Sequence, residues 1–125
     1  SRHYEGCQVN ICLNYGGRDE ILRAARDFAR DHRCVLVLKG HRTVTAAPDG
    51  RAWVNVSGNP GMAKGGSGDV LTGVIAGLLA RGMDGAEAAA FGVYVHGRAG
   101  EYAAAALGEN SVLATDLADS ILKEA

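Results

Sequence analysis

The sequence predicts an α/β fold with a mostly parallel sheet, a β-hairpin and helices toward the C-terminus. Two apolar segments, Val9–Leu13 and residues 34–38, flank a stretch with helical periodicity. A strand, a helix and a second strand in that order form a βαβ unit, whose strands pair in parallel. A turn at residues 48–51 then separates two β-rich segments, and long helical segments follow Gly58.

Each element of the N-terminal half has a physical reason. Residues 34–38 are continuously apolar and rich in branched side chains, which is typical of a strand buried on both faces of a parallel sheet. Such a strand needs a partner along each edge. Residues 43–47 and 52–56 are the predicted hairpin strands, joined by the turn Pro-Asp-Gly-Arg. Residues 19–32 are predicted to form a helix, because apolar residues recur with the helical period. These residues are Ile21, Leu22, Ala25, Phe28 and Ala29.

Three further helices are predicted in the C-terminal half. The first spans residues 69–81 and ends at Gly82, and the second spans residues 85–107 and ends at Gly108. The last begins near Thr115, which can serve as its N-cap. The second helix carries a small-residue stripe that predicts close approach of a neighbouring element. The stripe consists of Ala89, Gly92, His96 and Gly100. We interpret His96 as a packed or helix-contacting residue, not as a catalyst.

Composition places the chain among globular proteins, with 47% hydrophobic and 22% charged residues. The net charge of −1 gives no electrostatic reason to expect a nucleic-acid or membrane partner. The cysteines are Cys7, Cys12 and Cys34, an odd number without a CxxC pair. This pattern predicts reduced thiols and no metal site, as in a cytoplasmic protein. No apolar leader or membrane-spanning run is visible, which also favours the cytoplasm.

Residues 57–68 form a Gly-rich loop directly before a helix. Gly65, Gly66 and Gly68 permit positive φ and let the backbone approach a ligand closely. The unpaired N–H groups at the start of the following helix, together with the positive end of its dipole, attract an anion. The loop therefore predicts a phosphate site.

This loop differs from two common phosphate motifs. It is not a P-loop, because Gly65 follows Lys64, and it is not a Rossmann fingerprint, because Leu71 stands where the third glycine would be. Asp69 places a carboxylate at the predicted phosphate site. Two interpretations of Asp69 stay open at this point. It is a structural N-cap, or it is a general base that takes a proton from a hydroxyl attacking a phosphoryl group.

The segment NPGMAKGGSGDVLTG, residues 59–73, closely resembles the signature of the NAD(P)H-hydrate dehydratases, a branch of the ribokinase-like superfamily. The resemblance covers residues 24–125 and includes VLVLKGHRTVTAAPDGRAWVNVSG upstream and SVLATDL near the C-terminus. It implies the C-terminal part of a ribokinase-like domain, a partial ribokinase-like fold. It also implies an enzyme that dehydrates (6S)-NAD(P)H hydrate: ADP phosphorylates the C6 hydroxyl, phosphate leaves, and NADH or NADPH is restored with AMP as by-product.

The resemblance further implies roles for particular residues. Asp69 is expected to contact the hydrated nicotinamide of NADH or NADPH and to act as the base. Two segments are expected to bind an adenine nucleotide, ADP or ATP, with Mg²⁺ bridging its phosphates. They consist of Lys39, Gly40, His41, Arg42, Thr43, Asn59, Pro60, Gly61, Met62, Ala63, Lys64, Gly65, Gly66, Ser67 and Gly68. Lys64 stands where the family is expected to have threonine, and a cation is compatible with an anion loop.

Residues 1–23 do not share this resemblance. The string VNICLNYGGRDEI resembles a short segment of the cis-prenyl transferases, and we interpret residues 1–23 as an atypical, chimeric N-terminal segment preceding residues 24–125. The family resemblance implies further sheet strands upstream of those present here. An apolar strand edge without them predicts a homo-oligomer.

Two alternative functions remain. One is another ribokinase-like small-molecule kinase, for example one acting on a hydroxymethyl group, which the shared Gly-x-Gly-Asp supports equally well. Residues 59–62, Asn-Pro-Gly-Met, favour the dehydratase. The other is a non-catalytic fragment that binds a nucleotide.

Overall fold

A four-stranded sheet with helices on both of its faces organises the computed structural model, which describes residues 9–13 and 18–124. In chain order the elements are β1 (Val9–Leu13), α1 (Arg18–His32), β2 (Val35–Lys39), β3 (Val44–Ala46), β4 (Ala52–Val54), α2 (Ser67–Ala80), α3 (Gly85–Leu107) and α4 (Ala114–Glu124). Single 3-10 turns lie at Pro60–Met62 and Glu109–Ser111.

The strand order is β1-β2-β3-β4. β1 runs parallel to β2, with Val9 opposite Val35 and Leu13 opposite Lys39, which confirms the predicted βαβ unit. β2 and β3 pair antiparallel, as do β3 and β4, which confirms the hairpin. Because the hairpin returns directly beside β2, one of the three pairings among the described strands is parallel. The sheet of this chain is therefore mixed instead of mostly parallel.

β2 contributes side chains to two hydrophobic clusters, one on each face of the sheet. On one face of the sheet, Val35 and Val37 pack with residues of α2 and α3, including Leu71 and Val93. On the other face, Leu36 packs in a cluster with residues of α1 and β3. Side chains alternate across a strand, so a continuous apolar run is buried on both sides only when both faces are covered. The predicted burial of this strand on both faces is confirmed.

Three helices begin at residues other than those predicted. α2 starts at Ser67, two residues before Asp69, because Gly66 adopts the left-handed conformation (φ 89°) and ends the loop. α4 starts at Ala114, so Thr115 lies inside the helix and its predicted N-cap role is wrong. Asp116 instead accepts a hydrogen bond from the Leu113 N–H at 2.8 Å. α3 begins and ends as predicted, and α1 begins one residue early.

The small-residue stripe of α3 has the predicted effect on packing. A methyl group at Gly92 would lie 2.7 Å from Cγ1 of Ile75 in α2, so the two helices are in close contact there. Side chains at Gly97 and Gly100 would overlap Ser57 and Met62. The loop before α2 therefore lies directly on α3.

Cys34 is buried and makes no disulfide, whereas Cys7 and the side chain of Cys12 lie outside the described residues. Over residues 9–13 and 18–124, no helix has both the length and the apolarity that crossing a membrane requires.

Candidate functional site

A cavity of about 690 Å³ opens at the carboxyl end of β2, beside the N-terminus of α2. Ligands of open α/β sheets bind at the carboxyl ends of strands. The cavity is lined by Lys39, Gly40, His41, Arg42, Thr43, Asn55, Val56, Ser57, Gly58, Asn59, Pro60, Met62, Ala63, Lys64, Ser67, Leu71, Val93, His96 and Gly97. The structure thus brings together two segments that the sequence separates, the turn after β2 and the Gly-rich loop.

The last residue of β2 and the turn that follows it contribute five consecutive residues to the cavity wall. Thr43 closes this turn, since its hydroxyl donates to the Gly40 carbonyl (3.3 Å) and accepts from the Gly40 N–H (3.4 Å). Arg42 adopts a left-handed conformation with φ of 62°, which is costly for a residue with a side chain. Backbone conformations of this kind persist where surrounding structure requires them, and they cluster at ligand sites.

The Gly-rich loop is fixed to α3 at its beginning. Asn59 uses both atoms of its side-chain amide to hold the loop. Its Oδ1 accepts a hydrogen bond from the Gly61 N–H (2.9 Å), and its Nδ2 donates one to the Gly100 carbonyl (3.0 Å). The Gly58 N–H donates to Oε1 of Glu101 at 2.9 Å. These bonds hold the loop in place before any ligand binds, so a nucleotide meets a preformed wall.

The N-terminus of α2 presents a positive electrostatic end toward the cavity. Gly66 has no side chain with which to cap the helix, and the first N–H groups of a helix have no partners within it. The Lys39 ammonium lies over this first turn, because a methyl group at Gly68 would lie 2.7 Å from Nζ. A cation at the positive end of a helix is unfavourable in the absence of an anion. This arrangement is therefore suited to binding a phosphate group.

The three loop glycines do not share one role. Only Gly66 has positive φ, whereas Gly65 has open space around it and Gly68 belongs to the first turn of α2. Gly65 and Gly68 permit positive φ but do not adopt it. Gly68 instead leaves room for the Lys39 ammonium.

Lys64 supplies a second ammonium group at the cavity wall. Its Nζ donates a hydrogen bond to the Asn110 carbonyl at 2.9 Å, in the 3-10 turn that precedes α4. A carbonyl is a neutral partner, so the charge of Lys64 remains available to a nearby anion.

His96 projects from α3 to the first residue of α2. Its Nε2 lies 3.0 Å from the Ser67 carbonyl and 3.3 Å from the Ser67 hydroxyl. Burial, together with the charge of Lys39, lowers the pKa of His96 to about 4, and the bond to the Ser67 backbone partly opposes this shift. The ring is therefore neutral at neutral pH, and the interpretation of His96 as a helix-contacting residue is confirmed.

Asp69 lies at the third position of α2, not at its N-cap, which is Gly66. The structural N-cap interpretation is therefore wrong. The carboxylate is exposed and makes no hydrogen bond or ion pair with any residue in the described part of the chain. Asp69 does not line the cavity, and neither do four of the predicted nucleotide residues. These four are Gly61, Gly65, Gly66 and Gly68.

Sequence reasoning missed eight of the lining residues. They are Asn55, Val56, Ser57, Gly58, Leu71, Val93, His96 and Gly97. Ser57 and Gly58 belong to the predicted Gly-rich loop, and His96 belongs to the small-residue stripe of α3. The others are brought to the cavity by the segment after β4 and by the packing of α2 and α3.

The fold and the cavity define an α/β protein with a site suited to a phosphate group. A family profile described as NAD(P)H-hydrate dehydratase matches residues 8–123. The chain belongs to this family. The match begins at residue 8, so it includes most of the segment that the sequence resemblance left out.

The chain is 51% identical over 102 residues to the bifunctional NAD(P)H-hydrate repair enzyme Nnr of Moorella thermoacetica, covering 82% of this chain and 19% of that protein. It is 42% identical over 95 residues to the ADP-dependent (S)-NAD(P)H-hydrate dehydratase of Bacillus subtilis, covering 76% and 34%. It therefore spans about a fifth to a third of these curated relatives.

A solved structure supports the same relationship. The crystal structure of the ADP/ATP-dependent NAD(P)H-hydrate dehydratase from Bacillus subtilis, co-crystallised with ATP and Mg²⁺, superimposes with a TM-score of 0.79 at 38% identity. The superposition covers 84% of this chain and 38% of that one.

Proposed function

We propose that this chain forms the nucleotide-binding part of an enzyme that uses ADP to dehydrate (6S)-NAD(P)H hydrate, restoring NADH or NADPH and releasing AMP and phosphate. The observation that carries the proposal is the position of Lys39 over the uncapped N-terminus of α2, at the wall of a 690 Å³ cavity. Family membership supports the choice of substrate.

The nucleotide would lie between the turn after β2 and the Gly-rich loop. Its phosphates would approach Lys39, Lys64 and the first N–H groups of α2. These groups are fixed in place before phosphoryl transfer, which depends chiefly on positioning and on electrostatic stabilisation. The remaining members of the two predicted segments would contribute backbone contacts or shape.

Asp69 would act at the boundary between nucleotide and hydrated nicotinamide. Its carboxylate has no partner among the described residues, and Asp69 directly follows Gly68, the residue over which the Lys39 ammonium lies. It would take the proton of the C6 hydroxyl as that oxygen attacks the transferred phosphoryl group. Elimination of phosphate would then regenerate the ring double bond.

Mg²⁺ fits this site as an ion carried largely by the nucleotide. Over residues 9–13 and 18–124, no group of three or more His, Cys, Asp or Glu side chains is placed to hold a metal. Mg²⁺ in phosphoryl-transfer sites keeps several waters and uses one or two carboxylates together with substrate phosphates. Asp69 is the carboxylate that could contribute here, and the ion would neutralise charge on the phosphates.

We further propose a cytoplasmic homo-oligomer, because hydrated nicotinamide cofactors arise inside cells and because apolar side chains remain at the surface. These side chains include Val54, Val56, Phe91, Tyr94 and Tyr102, between 41% and 73% exposed. We retain the proposal that residues 1–23 have a separate origin.

The exposed position of Asp69 favours a second candidate, a chain that binds the nucleotide without catalysis. Incubating the protein with NADH hydrate and either ADP or ATP, while following the near-ultraviolet absorbance of the reduced ring, separates the two. ADP-dependent recovery of absorbance supports the dehydratase. Calorimetric nucleotide binding without recovery supports the binding fragment. Phosphorylation of a hydroxymethyl substrate, with no effect on the hydrate, would indicate another ribokinase-like kinase.

A further inference from the structure

The histidine of α3 combines deep burial with contact to the cavity. Only 6% of His96 is exposed, and yet its ring forms part of the cavity wall. Its hydrogen-bond partner Ser67 lines the same cavity, as do the apolar residues Leu71, Val93 and Gly97. His96 is therefore a buried polar side chain that a ligand in the cavity can reach.

The hydrogen bonds of His96 determine its tautomer. The Ser67 carbonyl can only accept, and it lies 3.0 Å from Nε2. Nε2 must therefore carry the hydrogen of the neutral ring, so Nδ1 has a lone pair and is a hydrogen-bond acceptor.

The second ring nitrogen is open to the cavity. His96 makes its hydrogen bonds through Nε2, and Nδ1 has no partner among the described residues. In the same part of the chain, no fully buried side-chain nitrogen or oxygen lacks a partner. Nδ1 is thus not fully buried, and the small exposed fraction of this residue lies at the cavity it lines.

We propose that Nδ1 of His96 accepts a hydrogen bond from a ribose hydroxyl of the bound nucleotide. This inference rests on the proposed function. A neutral acceptor cannot bind phosphate oxygens, which are acceptors themselves. The donors of ADP are its two ribose hydroxyls and its adenine amine. Ser67, the partner of His96, is the first residue of α2. Phosphates bind at such a helix start, and the ribose is the donor-bearing group attached directly to them.

Ligand analogues test this contact without altering the protein. We expect wild type to bind ADP about 2–10-fold more tightly than 2′-deoxy-ADP or 3′-deoxy-ADP in calorimetry, the range that one neutral hydrogen bond contributes. His96→Phe, which removes the acceptor, should bind ADP and the deoxy analogue that wild type disfavours with equal affinity. His96→Asn, whose side-chain oxygen can replace Nδ1, should retain the preference.

Nitrogen NMR of the wild-type ring gives an independent result if His96→Phe does not fold. Nδ1 should remain unprotonated. Its resonance should shift when ADP is added, but not when the deoxy analogue that binds wild type more weakly is added. Equal affinity of wild type for ADP and both analogues would overturn the ribose contact alone. So would a preference that persists in folded His96→Phe. A wild-type protein that binds no adenine nucleotide would overturn the proposed function as well.

Discussion

The buried imidazole of His96 should make this fold lose stability as the pH falls. In the folded chain, burial and the Lys39 charge hold the pKa of His96 at about 4, compared with 6.5 for an ordinary histidine. The unfolded chain therefore binds a proton between these values when the folded chain does not. The stabilisation is fully present above the unfolded pKa, declines as the pH falls toward 4, and changes no further below it.

The linkage relation gives the magnitude of this effect. Between about pH 7 and about pH 4.5, His96 alone should reduce the free energy of unfolding by about 2.5 kcal/mol. That is a large share of the total for a domain whose stability is of order 5–15 kcal/mol.

Urea denaturation of wild type and His96→Gln at both pH values measures this contribution. Glutamine has no titratable group but can still donate to the Ser67 carbonyl. All other titrating side chains are common to both proteins, so subtracting their pH dependences isolates the imidazole. If both proteins lose the same stability between the two pH values, burial does not hold this histidine neutral, and the electrostatic description of the cavity wall is incorrect.

Three further changes test the loop, the base and the sheet. Gly66→Val should weaken nucleotide binding strongly in calorimetry, because φ is 89° there and a β-carbon would lie 3.0 Å from Ala114 Cβ. Gly73→Val, in open space on α2 and outside both predicted nucleotide segments, is its control, and equal losses would contradict the strain argument. Asp69→Asn should reduce turnover of the hydrate about 10²–10⁴-fold while nucleotide affinity is nearly retained; unchanged turnover would exclude a general base. Deleting residues 1–16 removes β1 and uncovers the edge of β2, so light scattering should report aggregation. The protein that stays soluble should bind nucleotide with normal affinity. A soluble monomer that no longer binds nucleotide would place the N-terminus in the site.

The elements that could be predicted from the sequence are those with strong local signals. β2 was predictable because its apolar run is uninterrupted, and α3 because Gly108 ends it. The start of α2 was not predictable, because its N-cap is a glycine and has no capping side chain that a sequence pattern could reveal. Asp69 instead suggested a later boundary.

The cavity was predictable only in part. The turn after β2 and the Gly-rich loop carry recognisable residues, and both line it. The approach of the Lys39 ammonium to Gly68 and the contact of His96 with Ser67 join residues 29 positions apart in each case. Such contacts depend on how helices pack on the sheet, which no local pattern encodes.

Because the Gly-rich loop is fixed to α3, a ligand in the cavity should also stabilise parts of α3 that it does not touch. Asn59 and Gly58 bond to Gly100 and Glu101, and Gly97 leaves no gap beside Ser57. Opening of the loop therefore breaks its bonds to the middle of α3 and removes packing from that helix. Free energy gained when a nucleotide binds must oppose this opening. Amide hydrogens of α3 that never touch the ligand should accordingly exchange with solvent more slowly once the cavity is filled.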